Sequence, residues 1–274
     1  MSLTTPLGFV MAIVAVIGSL IMDGGSVTSL INPSAMLLVV VGTLGATLAG
    51  LPMAEAKRMP SLLIRVIKPP KIDVTAVVAD ICRLAEVARR EGLLRLEAEL
   101  DQGALDPFLA RGISLVVDGS DGERIRQVLE EDVAIYEENQ ASGAAIFETA
   151  GGYAPTLGII GTVMGLISVL SNLSDVAKLA PSIAVAFTAT LWGVSTANLF
   201  WLPVATNLKG QTKRSVRQRM AIVEGCVAIS RGQNPRVIEE ALSVYADVPG
   251  KPPKKGAADK PEGDRAEGER REAS

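Results

Sequence analysis

The sequence predicts an all-α integral membrane protein: four transmembrane helices in two hairpins, plus a helical cytoplasmic domain. Three observations carry that expectation. Of the 274 residues, 48% are hydrophobic, and they collect in four blocks, residues 7–22, 34–53, 155–173 and 182–205. Each block is near the ~20 residues a helix needs to cross a bilayer. The blocks come in pairs, joined by the short loops "DGGSVTSLINP" and "SNLSDVAKLAP", both ending in proline. Finally, of the 27 Lys and Arg residues only Lys178 falls in either loop.

That charge asymmetry sets the orientation, because Lys and Arg near span ends mark the cytoplasmic side. Lys57, Arg58, Arg65, Lys68 and Lys71 follow the second block, and Lys209, Lys213, Arg214, Arg217 and Arg219 follow the fourth. Both termini and the large polar segment between the pairs are therefore expected in the cytoplasm. The chain divides into a first hairpin (1–53), a cytoplasmic helical domain (54–151), a second hairpin (152–206), C-terminal cytoplasmic helices (207–248) and a tail (249–274).

Taken in order, the first block lacks the basic start and the A-x-A site of a cleaved secretory signal and reads as a retained span. The middle segment opens after the helix breaker "IKPPKID". "DVTAVVADICRLAEVARR" then places Val74, Val77, Val78, Ile81, Leu84, Ala85 and Ala88 on one helical face. That helix is expected to stop at Gly92. Further helices are expected over 93–100 and 106–117. Another starts at "SDGERIRQVLEE", with acids in its first turn, and either stops short of the third span or runs into it without a break through "IFETAGGY". Pro155 is placed in the first turn of that span, where proline is common. After the fourth span come a helix over 211–230 and a short one in "NPRVIEEALSVY". From Pro249 the chain has no apolar periodicity and is expected to be disordered.

Composition narrows the function. There is no histidine, and the net charge of −3 is too small for a nucleic-acid binder. Cys82 and Cys226 lie far apart in segments assigned to the cytoplasm and read as free thiols. No nucleophile, metal cluster or acid/base constellation is visible, so an enzyme is not expected.

The third span, "YAPTLGIIGTVMGLISVL", carries Gly158, Thr162, Gly165 and Val169 on one face. Small residues on one face let helices approach closely, and the hydroxyl of Thr162 lies among them. In the fourth, "SIAVAFTATLWGVSTANLFWLPVATNLK", Thr188, Thr190, Ser195, Thr196 and Asn198 suggest a helix facing protein or water. Hydroxyls can equally bond their own backbone carbonyls. Pro203 frees a backbone carbonyl near the inner end, which makes either a harmless kink or a hinge. None of the four spans has an Asp, Glu, Lys, Arg or His in its interior. A cation path normally contains one. Either the protein conducts nothing, or another polypeptide supplies the charge and the third span lines a groove for that partner helix. In the cytoplasm, "ARREGLLRLE" puts Arg89, Arg90, Arg95 and Glu97 around a helix-turn-helix corner. This is either a solvated face or a reversible, electrostatically steered contact.

Four landmarks in this order resemble the A-subunit of the bacterial flagellar motor stator, the MotA/PomA family. They are the two split hairpins, "RREGLLRLE", "GGYAPTLGIIGTVMGL" and "AVAFTATLWGVSTANLFWLPVATNLK". The resemblance covers roughly residues 7–245. It implies a multi-pass protein of the bacterial inner membrane in which five A-subunits surround the membrane helices of two B-subunits. The B-subunit supplies the intramembrane aspartate, and ion flow drives the rotor. By motif, it assigns contact with the rotor protein FliG to Arg89, Arg90 and Glu97, and functional prolines to Pro155 and Pro203. Thr162 and Thr190 match positions where sodium-driven members carry threonine. Ala189 departs from that pattern, so the resemblance leans only slightly to Na+ over H+. No cofactor, resident metal or nucleic acid is implied, only lipid, a transported cation and transient Na+ near Thr162 and Thr190. The alternative is an ExbB/TolQ-like energiser of envelope transport, which usually has three spans and lacks the "RREGLL" corner.

Overall fold

In the computed structural model, which describes residues 4–101, 103 and 105–246, every regular element is a helix. The tail 249–274, expected to be disordered, lies outside the described residues. The chain begins with α1 (Thr4–Met22) and a 3-10 turn (Val27–Leu30). Next, α2 (Pro33–Met36) continues through a π-wound turn (Leu37–Val41) into α3 (Gly42–Ala49). Asn32 caps this helix, its side chain accepting from Ala35 N. It ends four residues before the sequence-based limit, because Pro52 cannot continue it. Two short helices follow, α4 (Met53–Ala56) and α5 (Met59–Ile67).

The next helices match their expected positions. They are α6 (Val74–Glu91), α7 (Arg95–Asp101) and α8 (Pro107–Val117). Asp73 caps α6 and Gly92 ends it at φ +89°, a conformation that favours glycine. Asp106 caps α8 through Phe108 N and Leu109 N.

Two rods dominate the molecule. α9 (Gly122–Ser171) is a single helix of 50 residues, about 75 Å long. After a tight turn, α10 (Val176–Thr196) runs through a π-wound turn (Ala197–Trp201) into α11 (Leu202–Ser230). α12 (Pro235–Leu242) closes the fold. The sequence places Pro155 in a first turn; it lies instead in the interior of α9. No glycine or proline between 143 and 158 breaks the rod, because its flanks pack on α5 and α11. Likewise α10 starts ahead of the expected limit and carries Pro181 inside it.

The rods pass through three kinds of packing. At the base, Ile81, Leu84, Leu109, Ile113, Leu129 and Ile222 anchor a core shared by α6, α8, α9, α11 and α12. Above it, Leu62 of α5, Phe147 and Ala150 of α9, and Trp201 and Leu208 form a second core. Higher still, α9 and α10 pair through small residues, with the Pro33–Ala49 helix against them. α1 is peripheral: none of its residues 7–22 is buried, and Phe9 meets Phe200 at 6.3 Å between ring centroids. The helices Gly122–Ser171 and Leu179–Ser230 are long and apolar enough to cross a membrane, while Leu7–Met22 and Pro33–Ala49 are shorter apolar helices.

Candidate functional site

The two rods approach most closely where their side chains are smallest. A Cβ on Gly161 would stand 2.4 Å from Ala189 Cβ, and one on Gly165 2.6 Å from Ala186 Cβ. One on Gly158 would stand 3.0 Å from Ala189 O, and one on Gly193 2.7 Å from Ala154 O. Backbone therefore packs on backbone. The small-residue face meets a helix closely, as its spacing implies, and that helix belongs to the same chain. The Gly158/Thr162/Gly165 face is taken by α10 of the same chain, while Ile160, Val163, Met164 and Ile167 are exposed on other faces of α9.

Within this seam the structure brings together two residues that the sequence singled out separately. Thr162 Oγ1 lies 3.2 Å from Gly158 O and 3.2 Å from Ala186 O, and it hydrogen-bonds the Thr190 hydroxyl. Thr190 Oγ1 lies 3.5 Å from Gly158 O. One hydroxyl has one proton to give, so Thr162 can satisfy only one of these acceptors at a time. Four oxygens thus converge where the surrounding apolar stretches contain no ionisable residue. Both threonines are only half-buried. Hydroxyl and carbonyl oxygens are the donor set a hard cation takes.

The other polar residues of the fourth apolar block do not join the cluster. Thr188 donates to Ala184 O, Thr196 to Trp192 O at 2.7 Å, and Asn198 to Val194 O at 2.9 Å. These bonds satisfy their own helix. Nearer the α9–α10 turn, the hydroxyls of Ser168 and Ser182 meet at 3.1 Å.

The two prolines sit near the same crossing, away from the threonines. Gly151, four residues before Pro155, packs on Leu202, the neighbour of Pro203. Pro203 follows the π-wound turn Ala197–Trp201. Proline lacks the N–H that would bond Leu199 O, and a wider turn at this point absorbs the missing bond. Pro203 and Asn198 also line a cavity of about 590 Å³ against Gly8, Phe9 and Ala12 of α1.

Far below, the charged corner is built on the base core. Leu96 is fully buried and Leu93 packs beside it, which fixes the turn after Gly92. Arg89, Arg90 and Glu97 are exposed and form no ion pair with a described residue. Arg95, grouped with them in the sequence, pairs with Glu91 at 3.0 Å. Leu94 stands 77% exposed at the tip.

Some contacts were not legible in the sequence. Trp192 Nε1 donates to Leu30 O at 2.8 Å, tying the first loop to α10. A tryptophan in an apolar helix needs a partner for its N–H, and that was the available signal. Arg126 grips Glu224 through two bonds of 2.6 and 2.8 Å. These bonds raise the Arg126 pKa and hold the Glu224 carboxyl below its ordinary value. Both cysteines are free, and burial pushes the Cys226 thiol up to about 12.

Known proteins share this architecture. Residues 6–92 match the motility protein A N-terminal family, and residues 101–221 match the MotA/TolQ/ExbB proton channel family. Motility protein A of Bacillus subtilis is 39% identical over 246 residues, 89% of this chain and 91% of the relative. Chemotaxis protein PomA of Vibrio alginolyticus is 32% identical over 245 residues, covering 89% and 95% of the two chains. A chain of the flagellar MotAB stator complex from Bacillus subtilis superposes with a TM-score of 0.82 at 38% identity, covering 89% of this chain and 96% of that one. The chain therefore belongs to the MotA/PomA family of membrane-embedded flagellar stator A-subunits, within the MotA/TolQ/ExbB proton channel family.

Proposed function

We propose that this subunit, with a B-subunit, couples cation flow across the bacterial inner membrane to rotation of the flagellar rotor. Four helices cross the membrane: α1, the helix Pro33–Ala49, and the apolar parts of α9 and of α10 with its π-wound turn. The first two, at about 28 and 26 Å, fall slightly short of a ~30 Å hydrocarbon core. Both termini and the helical base lie in the cytoplasm. Five copies surround two B-subunit helices and leave lipid on the outside.

The observation that carries this reading is the oxygen cluster of Thr162, Thr190, Gly158 O and Ala186 O in a seam without charge. A path for a cation needs a carboxylate, and the B-subunit supplies it as an intramembrane aspartate. Thr162 and Thr190 flank the path. Oxygen ligands of this kind favour Na+ over H+, because a proton needs only the carboxylate. Pro155 and Pro203 bracket the cytoplasmic end, where the π-wound turn gives α11 a hinge against α9. Arg89, Arg90 and Glu97 make the rotor contact to FliG through steered, exposed charges. The rival is an ExbB/TolQ-like energiser within the same channel family. The match of residues 6–92 to a motility family weighs against it.

Deletion of the gene tests the proposal. Flagellated, paralysed cells rescued by the wild-type gene are expected, with swimming speed rising with sodium at fixed pH. Normal swimming with defective nutrient uptake would favour the energiser instead. Arg90→Glu is expected to impair torque while the complex still assembles; unchanged swimming would remove Arg90 from the rotor contact.

A further inference from the structure

We propose that a basic cleft between α5, α8, α9 and α11 binds a soluble phosphate-bearing anion of about nucleotide size. The cleft has a volume of about 470 Å³, within the range of small-ligand sites. Arg65, Lys68, Lys71 and Arg219 line it against a single carboxylate, Asp106. That carboxylate is already engaged. Asp106 Oδ1 accepts from Phe108 N at 2.9 Å and Leu109 N at 3.3 Å, and Oδ2 accepts from Gln218 Nε2 at 3.1 Å. None of the four cations forms an ion pair with a described residue.

The two arginines are held in place without a counter-ion. Half-buried Arg65 donates to Gln211 Oε1 at 3.1 Å, to Gln140 Oε1, and weakly to Tyr136 OH at 3.5 Å. All three acceptors are neutral. The guanidinium of Arg219 stacks between the rings of Phe108 at 4.5 Å and Tyr136 at 4.0 Å. Stacking fixes its plane and leaves its edge donors for an oxyanion. Elsewhere in the fold, half-buried Arg126 finds a carboxylate in Glu224. Drawing a cation partly out of water is costly unless it is paired. The cleft therefore lacks a negative group, and fixed guanidinium forks suit phosphate.

A phosphate could come from a solute or from a lipid headgroup, and depth favours the solute. Gln140 and Tyr136 lie about 22 and 28 Å below Pro155 along α9. A headgroup layer extends only about 5–8 Å beyond the hydrocarbon. This step, unlike the charge argument, rests on the membrane placement given above.

The test uses the full subunit co-purified with its B-subunit in nanodiscs of neutral lipid, with pyrophosphate and ADP as probes. Saturating probe is expected to raise Tm by about 5 °C over sodium chloride at matched ionic strength. Arg65→Gln with Arg219→Gln is expected to abolish the rise, and Lys57→Gln, outside the cleft, to keep it. Should the double variant fail to fold, Lys71→Gln is expected to weaken binding about tenfold. Stabilisation equal to that by chloride, or unchanged in the cleft variants, would overturn the site. A response only to nanodiscs containing phosphatidylglycerol, abolished by the same variants, would overturn the soluble source. Loss of oligomer size in the variants, with no anion response in the wild type, would assign the cations to a neighbouring copy and overturn the proposal. None of these readouts depends on motility, so a failed stator reading would leave them intact.

Discussion

The two halves of α9 are one helix built on opposite rules. Its lower half buries Ile125, Leu129 and Val133 and exposes acids such as Glu131 and Glu138. Its upper half buries Ala154, Gly158, Gly161 and Gly165 and exposes Ile160, Met164, Ile167 and Leu170. Below, water drives large apolar side chains inward, and burial area holds the core together. Above, lipid is as apolar as leucine, so association relies on close backbone contact and hydrogen bonds. Substitutions of the same size should therefore differ in cost between the two halves.

The largest effect is expected where backbone meets backbone. Gly193→Val would drive a side chain into Ala154 O and Gly158 Cα, at 2.7 and 3.0 Å from a Cβ. Neither atom can rotate away. The expected loss is on the order of 4 kcal/mol, read as failure of the subunit to appear in a purified complex. Wild-type yield from this variant would mean that α9 and α10 are not closely paired.

Next comes the converse change in the base. Leu129→Ala removes a fully buried side chain from the lower core and should cost about 3 kcal/mol, measured as a lower denaturation midpoint of the detergent-solubilised subunit. The matching change above, Ile167→Ala on the exposed face, should cost less than about 1 kcal/mol in the same assay. Equal losses would break the contrast between the halves.

How much of this contrast was legible depends on the kind of signal each half writes into the chain. The lower half speaks through period and caps. Val77, Ile81 and Leu84 mark the buried face of α6, and Asp121 marks the start of α9, its side chain accepting from Arg124 N. In the upper half, the apolar blocks and the glycine stripe announce helices that meet, but not which neighbour they meet. The stripe packs on α10 of the same chain. Thr162 and Thr190 were each singled out, yet their contact spans 28 residues and no local pattern encodes it. α5 is short and starts at a proline, a residue that suits a first helical turn as well as a loop. Of the two π-wound turns, only Ala197–Trp201 has a marker in the chain, Pro203 just after it; Leu37–Val41 has none.

A smaller effect isolates charge in the lower half. Glu224→Gln breaks the charge-assisted pair with Arg126, whose side chains remain 28% and 36% exposed. Solvent screening holds the expected cost to about 1 kcal/mol at neutral pH. The Glu224 pKa is lowered in the fold from its ordinary 4.5. A depressed carboxylate stabilises the fold above its unfolded pKa and loses that contribution as pH falls through the lower folded value. The gap between wild type and Glu224→Gln should accordingly be constant from neutral pH down to about 5 and then close. A gap that widened in acid would assign the stabilisation to another group.

A similarly small change in stability belongs to the residue with the most specific functional assignment. Thr162→Ala removes the hydroxyl at the centre of the oxygen cluster, but Gly158 O and Ala186 O keep their helical bonds. The cost should be about 1 kcal/mol, within what a paired helix can absorb. Swimming, by contrast, should lose most of its dependence on sodium if the hydroxyl is a ligand on the cation's path. Thr162→Ser restores the oxygen while removing only a methyl, and should restore that dependence. If serine and alanine behave alike, the residue acts through packing, and the seam's oxygens are there to join two helices and not to pass an ion. The upper half would then differ from the lower one in how it packs, but not in what it conducts.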